Sequence, residues 1–216
     1  MASSASRHYL HEVLVRHPDR KYNRPFWRLY FLSAGCISYP PIRHTHARPI
    51  HTFVLGPSVT EAVACPVLLA GGIRDGRGLA AALAFGADAV ALGTCFVASH
   101  DNPDWHPAYG ARIIAAAEGE DIVFQALHGP SRALPSAALD ELAALEAGGI
   151  TSDDALTRFK DERLIAAQRD GDMQGGILPA GQIAGAINDL IHVAEFVPGM
   201  VEEALAVLDR LAQLRT

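Results

Sequence analysis

The chain has 216 residues, of which 50% are hydrophobic and 19% are charged, which suffices for one globular domain or one and a half. Its 18 Lys and Arg residues against 24 Asp and Glu residues give a net charge of −6, which argues against nucleic-acid and membrane-surface partners. The three cysteines are scattered and no apolar run reaches signal-peptide or membrane-spanning length, so we expect a cytoplasmic chain without a disulfide framework.

Residues 1–42 contain clusters of His, Arg and Tyr without a sustained helical or strand period. The one element expected in this irregular segment is a short helix over residues 9–15. The composition changes near residue 43, where short apolar runs begin to alternate with stretches rich in Ala and Leu. This alternation predicts βα units over residues 43–130, followed by a helical segment over residues 131–216.

The clearest βα unit begins with a continuous apolar run at residues 66–70, which suits a strand buried on both faces. Gly71 and Gly72 follow the run directly. A helix is expected over residues 76–85, with Asp75 as its N-cap. A strand that ends in two glycines lets the backbone come close to a ligand, with amides and the helix start directed at it, which is how proteins hold anions.

A second unit repeats this pattern, with a strand over residues 89–92 that ends at Gly93 and Thr94, and a helix over residues 107–117. Neighbouring parallel strands place their carboxyl ends at one edge of a sheet, so both turns are expected to converge on one phosphate. A plain tight turn remains the alternative for each turn taken alone. No Gly-Lys-Ser/Thr sequence completes a P-loop, and no dinucleotide fingerprint follows a strand.

Four further helices are predicted beyond residue 130. Two of them show sequence caps, a serine at residue 136 and a Thr-x-x-Asp capping box that starts at residue 151. The predicted helices span residues 136–147, 151–168, 181–193 and 198–214.

Three blocks of sequence occur in the order found in a known family. They are PVLLAGGIRDGRGLAAAL from Pro66, GADAVALGTCF from Gly86 and GDMQGGILPAGQIAG from Gly171. They resemble the nitronate monooxygenase family, whose members are FMN-dependent TIM barrels, and the resemblance covers residues 44–216. It implies an α/β fold: the C-terminal βα units of an incomplete FMN-type TIM barrel, then a helical segment that returns to the barrel.

The resemblance assigns six residues to the cofactor FMN: Gly71, Gly72, Gly93, Thr94, Gly181 and Gln182. The first four match the residues that hold the FMN phosphate after the seventh and eighth barrel strands. The last two match a Gly-Gln pair near the flavin. Close packing of the small residues Gly181 and Gly185 is the alternative for the last pair.

The resemblance also points to His44, in the run His-Thr-His-Ala-Arg-Pro, as the catalytic residue. An imidazole with an ordinary pKa of about 6.5 can take an α-proton from a nitroalkane or bind its nitro oxygens near neutral pH. The family's Gly-Gly before this histidine is replaced here by Ile42 and Arg43. His46 as the base, or a solvent-facing loop histidine, are the alternatives. A metal site of His44, His46 and His51 is disfavoured, because no carboxylate or thiolate lies near them in sequence.

The implied function is FMN-dependent oxidation of a nitronate or nitroalkane with O₂ to a carbonyl compound and nitrite. One alternative is an FMN-dependent enoyl-acyl-carrier-protein reductase, which shares the AGGIxDGRG and AGQIAG blocks. Another is a non-catalytic remnant, because only two barrel strands are legible, with a third before His44, and the first half of the barrel is expected to be missing. Uncovered strand edges predict weak FMN binding or a homo-oligomer.

Overall fold

A computed structural model of the chain describes part of it in full and a few segments as backbone only. The residues described are 12–13, 30–33, 36–37, 51–63, 65–126, 129–148 and 153–214, of which the first three ranges are backbone. They form two compact units, one with the residues up to Gly93 and from Ala194 onward, the other with Thr94–Val193. No helix within these ranges is long and apolar enough to cross a lipid bilayer.

The first unit contains a five-stranded mixed sheet. Its strands are β1 (Glu12–Val13), β2 (Tyr30–Ser33), β3 (Cys36–Ile37), β4 (Val67–Ala70) and β5 (Ala89–Ala91). The order across the sheet is β1-β5-β4-β2-β3, and β4 runs parallel to both β2 and β5. Strand β4 is central and covered on both faces, with Leu69 fully buried, which is why its sequence is continuously apolar.

The N-terminal strands correct one prediction and confirm another. The helix expected over residues 9–15 is wrong, because Glu12 and Val13 pair with Ala91 and Val90 in an antiparallel bridge. A backbone that completes the open edge of β5 gains ladder hydrogen bonds, and these outweigh a weak local helix preference. The third strand expected before His44 is confirmed as β2, which is parallel to β4.

Three helices accompany this sheet: α1 (Thr52–Ala62), α2 (Gly76–Ala84) and α7 (Val193–Gln213), the last numbered for its place in the chain. The predicted cap of α2 is confirmed, since the Asp75 carboxylate accepts a hydrogen bond from the Gly78 amide at 3.1 Å. Helix α7 packs against the start of α2 so closely that a Cβ at Gly76 would lie 2.4 Å from the Met200 carbonyl oxygen. Helix α1 is not among the elements predicted from the sequence.

The second unit holds the remaining elements: helices α3 (Thr94–Val97), α4 (Pro107–Ile114), α5 (Ala137–Ala147) and α6 (Asp153–Ile165), and strands β6 (Ile122–Ala126), β7 (Gly129–Leu134) and β8 (Leu178–Pro179). The strands form an antiparallel sheet of order β6-β7-β8. The helical segment expected over residues 131–216 therefore also contains strands, since part of β7 and all of β8 lie within it. Strand β6 pairs along its full length with β7, and α5 covers the sheet with Leu139 and Leu142.

The helix predicted over residues 181–193 is also wrong. A 3₁₀ helix spans Gln182–Ala186, and Ile187 directly after it is extended. Farther along the chain, Ile191 exchanges backbone hydrogen bonds with Ala98 and His100, at 3.1 and 3.0 Å. These tertiary bonds satisfy the backbone groups that a helix would otherwise pair. Helix α7 begins at Val193, five residues before the predicted start, because the Asp101 carboxylate accepts a hydrogen bond from the Val193 amide at 2.6 Å.

Candidate cofactor site

The two glycine turns of the first unit lie at the same edge of its sheet. Strands β4 and β5 are parallel, and Ala70 is the register partner of Ala91. This last register pair lies directly before Gly71 on β4 and two residues before Gly93 on β5. The arrangement expected from the sequence, in which two successive strand ends bring their turns to one carboxyl edge, is present in this unit.

The three glycines of these turns are suited to their positions for different structural reasons. Gly71 and Gly72 have φ values of 90° and 75°, a left-handed conformation that only glycine adopts at low cost. Gly93 is not among the described glycines with positive φ, and a Cβ there would meet no described atom within 4 Å. The Cβ position of Gly72 is equally open. The space in front of both turns can therefore receive a ligand close to the backbone, which fits a phosphate.

The hydrogen bonds around these turns show which amides remain for an anion. Within the described part of the chain, the amides of Gly72 and Gly93 donate to no acceptor outside the β4–β5 ladder. The start of α2, by contrast, is already occupied. The Gly76 amide donates to the Glu203 carboxylate at 2.8 Å, and Asp75 takes the Gly78 amide. An anion at this edge would therefore be bound by the amides of the glycine turns. The start of α2, which the sequence pattern also predicts as part of the anion site, has the amides of Gly76 and Gly78 already paired.

Ion pairs with two arginines hold the carboxylates of Asp75 and Glu203 in place. Arg77 donates to Asp75 at 2.5 Å and reaches Glu203 at 3.5 Å, and Arg74 lies 3.5 Å from Asp75. Partial burial raises the pKa of Asp75, but the hydrogen bonds from Arg77 and the Gly78 amide outweigh it, so its pKa lies below the ordinary value. Asp75 is therefore a permanently ionised helix cap near neutral pH.

In the second unit, two of the predicted cofactor residues are in direct contact. The Gly181 amide donates to the Thr94 hydroxyl oxygen at 3.0 Å, across 87 positions of sequence. A hydroxyl that accepts one hydrogen bond keeps its own proton, so Thr94 can still donate to a ligand oxygen. Gln182 is exposed at the start of the 3₁₀ helix. The close-packing alternative holds for Gly185, where a Cβ would lie 2.5 Å from the Ala117 carbonyl oxygen, whereas Gly181 has ordinary clearance.

Sequence reasoning missed one residue at the glycine turn. Thr52, the first residue of α1, directs its hydroxyl at the carbonyl oxygens of Ala70 and Gly71, at 3.1 and 3.2 Å. One sequence signal points to it. A hydroxyl residue directly before the apolar run at residues 53–55 is a pattern that can mark the start of a helix.

The predicted catalytic residue lies outside the described residues. This holds for His44 and equally for Arg43 and His46, so their roles stay predictions. His51 is described, and its ring nitrogen Nδ1 accepts a hydrogen bond from the Phe53 amide at 3.2 Å. That contact makes His51 the cap of α1, a structural role.

Comparison with known proteins gives a family match and several curated relatives. A family model described as nitronate monooxygenase matches residues 40–203. The (3aS,4S,5R,7aS)-5-hydroxy-7a-methyl-1-oxo-octahydro-1H-indene-4-carboxyl-CoA dehydrogenase of Rhodococcus jostii (strain RHA1) is 32% identical, over 79% of this chain and 58% of its own length. A probable nitronate monooxygenase of Staphylococcus aureus (strain N315) is 34% identical, over 45% of this chain and 27% of its own length.

Solved structures resemble the chain as well. FabK from Thermotoga maritima is 33% identical with a TM-score of 0.67, over 76% of this chain and 52% of its own. Nitroalkane oxidase from Streptomyces ansochromogenes is 28% identical with a TM-score of 0.66, over 83% of this chain and 53% of its own. The chain thus spans less than two thirds of the length of these relatives.

Proposed function

Because the chain belongs to the nitronate monooxygenase family, we propose that it binds FMN and acts as a flavin-dependent oxidoreductase. The observation that carries this proposal is the pair of glycine turns at one sheet edge, with open space at the Cβ positions of Gly72 and Gly93. Open space beside unoccupied amides suits a phosphate, whose oxygens need donors at short range.

The proposal gives each turn residue a task. The amides of Gly71, Gly72 and Gly93 bind phosphate oxygens, since a glycine turn brings backbone within hydrogen-bond range of a ligand. The Thr94 hydroxyl, oriented by its bond from the Gly181 amide, donates to a ligand oxygen. Gln182 near the flavin stays the prediction that the resemblance implies.

The substrate we propose is a nitronate or nitroalkane, which is oxidised with O₂ to a carbonyl compound and nitrite. Bound FMN would supply the electron-transfer chemistry, which no side chain provides. His44 would take the α-proton of a nitroalkane or hydrogen-bond its nitro oxygens, because a neutral imidazole is available as a base near pH 7.

A thioester substrate is the second candidate. The relative from Rhodococcus jostii, which is 32% identical, is named as a dehydrogenase of a carboxyl-CoA compound. The enoyl-acyl-carrier-protein reductase considered from the sequence would act on the same chemical class. If the chain acts in the reductase direction, this candidate predicts oxidation of NAD(P)H in the presence of an enoyl thioester, with no need for O₂.

The test is a flavin titration followed by two assays. The purified chain is mixed with FMN, and flavin absorbance is measured after removal of free ligand. We expect retained FMN and nitronate-dependent O₂ consumption that is lost in His44→Ala and kept in His51→Ala. Protein that stays colourless with excess FMN would contradict the proposal, and thioester-dependent oxidation of NAD(P)H without nitronate activity would favour the second candidate.

A further inference from the structure

Thr52 makes an unusual pair of contacts at the end of β4. It is 9% exposed, and its hydroxyl oxygen lies 3.1 Å from the Ala70 carbonyl oxygen and 3.2 Å from that of Gly71. A hydroxyl carries a single proton, so this proton is shared between the two carbonyl groups. One side chain of α1 thereby restrains two successive peptide groups of the turn.

Peptide geometry turns this restraint into a direction for the amides. In a planar trans peptide, the carbonyl of one residue and the amide of the next point in opposite directions. The Ala70 and Gly71 carbonyls both point at Thr52, so the amides of Gly71 and Gly72 both point away from it. Successive amides that face one side form an anion-binding concavity.

The turn needs such a restraint because of its composition. Glycine has more backbone freedom to lose than any other residue, so a two-glycine turn is costly to order. A buried hydroxyl that restrains both peptide groups already reduces the backbone freedom of the turn in the unliganded protein, so less conformational entropy is lost when a ligand binds.

We propose that Thr52 is a positioning residue of the cofactor site. Its hydroxyl orients the peptide groups of the glycine turn and so presents the Gly71 and Gly72 amides to the phosphate of FMN. This inference rests on the proposed function, and it adds that recognition of the phosphate, rather than of the flavin ring, depends on Thr52.

The same helix offers a matched control. The hydroxyl of Thr60 donates to the Pro57 carbonyl at 3.0 Å and to the Phe85 carbonyl at 2.5 Å. Thr60 thus anchors α1 to the end of α2, away from the glycine turn. Replacement of Thr60 removes an equivalent hydroxyl without touching the proposed phosphate contacts.

The experiment compares FMN with riboflavin, which lacks the phosphate. Dissociation constants for both are measured by flavin fluorescence in the wild type, Thr52→Val, Thr52→Ala, Thr52→Ser and Thr60→Val, after circular dichroism has verified folding. Loss of one oriented hydrogen-bond array is expected to weaken FMN binding by about five- to tenfold in the Val and Ala variants. Riboflavin binding stays unchanged, Thr52→Ser restores the wild-type value and Thr60→Val keeps the preference for FMN.

Two failures can be told apart. If the wild type prefers FMN over riboflavin and the Thr52→Val and Thr52→Ala variants keep that preference in full, the role of Thr52 is overturned and the proposed function stands. If the wild type binds both flavins equally, the phosphate turn itself is overturned and the role of Thr52 falls with it. A loss of FMN and riboflavin binding to the same degree would assign Thr52 a merely structural role.

Discussion

The glycines of this chain occupy their positions for different structural reasons, although the sequence does not distinguish them. At Gly76 the packing decides, because a Cβ would lie 2.4 Å from the Met200 carbonyl oxygen of α7. At Gly72 the backbone conformation requires glycine, because its φ is 75°. At Gly93 neither reason applies among the described residues, since its Cβ position is open and its φ is not positive. A glycine that the fold does not require is the best marker of a ligand approach.

This contrast makes Gly93→Ala and Gly76→Ala an informative pair. We expect Gly93→Ala to leave the free energy of unfolding nearly unchanged and to weaken FMN binding, because the added methyl group occupies ligand space. Gly76→Ala is expected to destabilise the fold by about 1–3 kcal/mol, the usual effect of overpacking. Urea unfolding and FMN titration measure the two effects. Equal destabilisation by both substitutions would show that Gly93 is a packing residue.

The ionised cap at Asp75 predicts a pH-dependent stability. Its pKa is lowered in the folded state, so the stability it contributes is present above the unfolded value of about 4 and is lost as pH falls through the folded value. Because an asparagine side chain can still accept the capping hydrogen bond, Asp75→Asn should remove only the interactions of the negative charge, about 0.3–1 kcal/mol at pH 7, and much less at a pH below the folded pKa of Asp75. Urea unfolding at both pH values tests this.

The matched control for this prediction is Asp209→Asn on the exposed face of α7. It should show no comparable loss at pH 7. A pH-independent penalty for Asp75→Asn would mean that its negative charge is not what stabilises α2.

At the scale of elements, those with local signals could be predicted and those that depend on distant partners could not. Strand β4 is a run of apolar residues and α2 begins at an aspartate cap, so both are readable from sequence. Strand β6 exposes two successive apolar residues, Ile122 at 40% and Val123 at 49%, and so lacks the alternation of a half-buried strand. Its conformation comes from pairing with β7, which no local pattern encodes.

The same argument applies to the candidate site. The glycine turns follow from strand ends and could be placed at one edge by parallel pairing alone. The contact between Thr94 and the Gly181 amide spans 87 positions and needs the fold. The predicted helix over residues 181–193 failed because Ile191 bonds to Ala98 and His100 instead.

A sequence cap that does not function as one gives a further prediction for an element. Ser136 precedes α5, but its side chain makes no cap hydrogen bond, and its buried hydroxyl oxygen has no hydrogen-bond partner in the described part of the chain. Removal of an unsatisfied buried hydroxyl costs little, so Ser136→Ala should leave the thermal unfolding midpoint unchanged or slightly raised.

Asp75→Ala provides the comparison, because it deletes a cap that does bond. It should lose about 0.5–2 kcal/mol. A loss of that size for Ser136→Ala in thermal or urea unfolding would show that the hydroxyl has a partner in solution, such as a buried water.

At the scale of the whole molecule, ligand binding and folding are linked. The family match covers residues 40–203, and the chain spans 58% of the relative from Rhodococcus jostii. The proposed phosphate contacts of Gly72 and Gly93 both lie in the unit that also contains α7. A ligand that binds only the native state of this unit must raise the stability of that unit, whatever the flavin ring contacts contribute.

This linkage predicts that FMN raises the melting temperature more than riboflavin does. At a ligand concentration of 100 times the dissociation constant the stabilisation is about 2.7 kcal/mol. For a protein of this size that corresponds to a shift of roughly 5–10 °C. Thermal melts followed by circular dichroism should show this shift for FMN, a smaller one for riboflavin at the same concentration, and a reduced FMN shift in Gly93→Ala. An identical shift for both flavins would contradict a phosphate contact, because the phosphate is what distinguishes them.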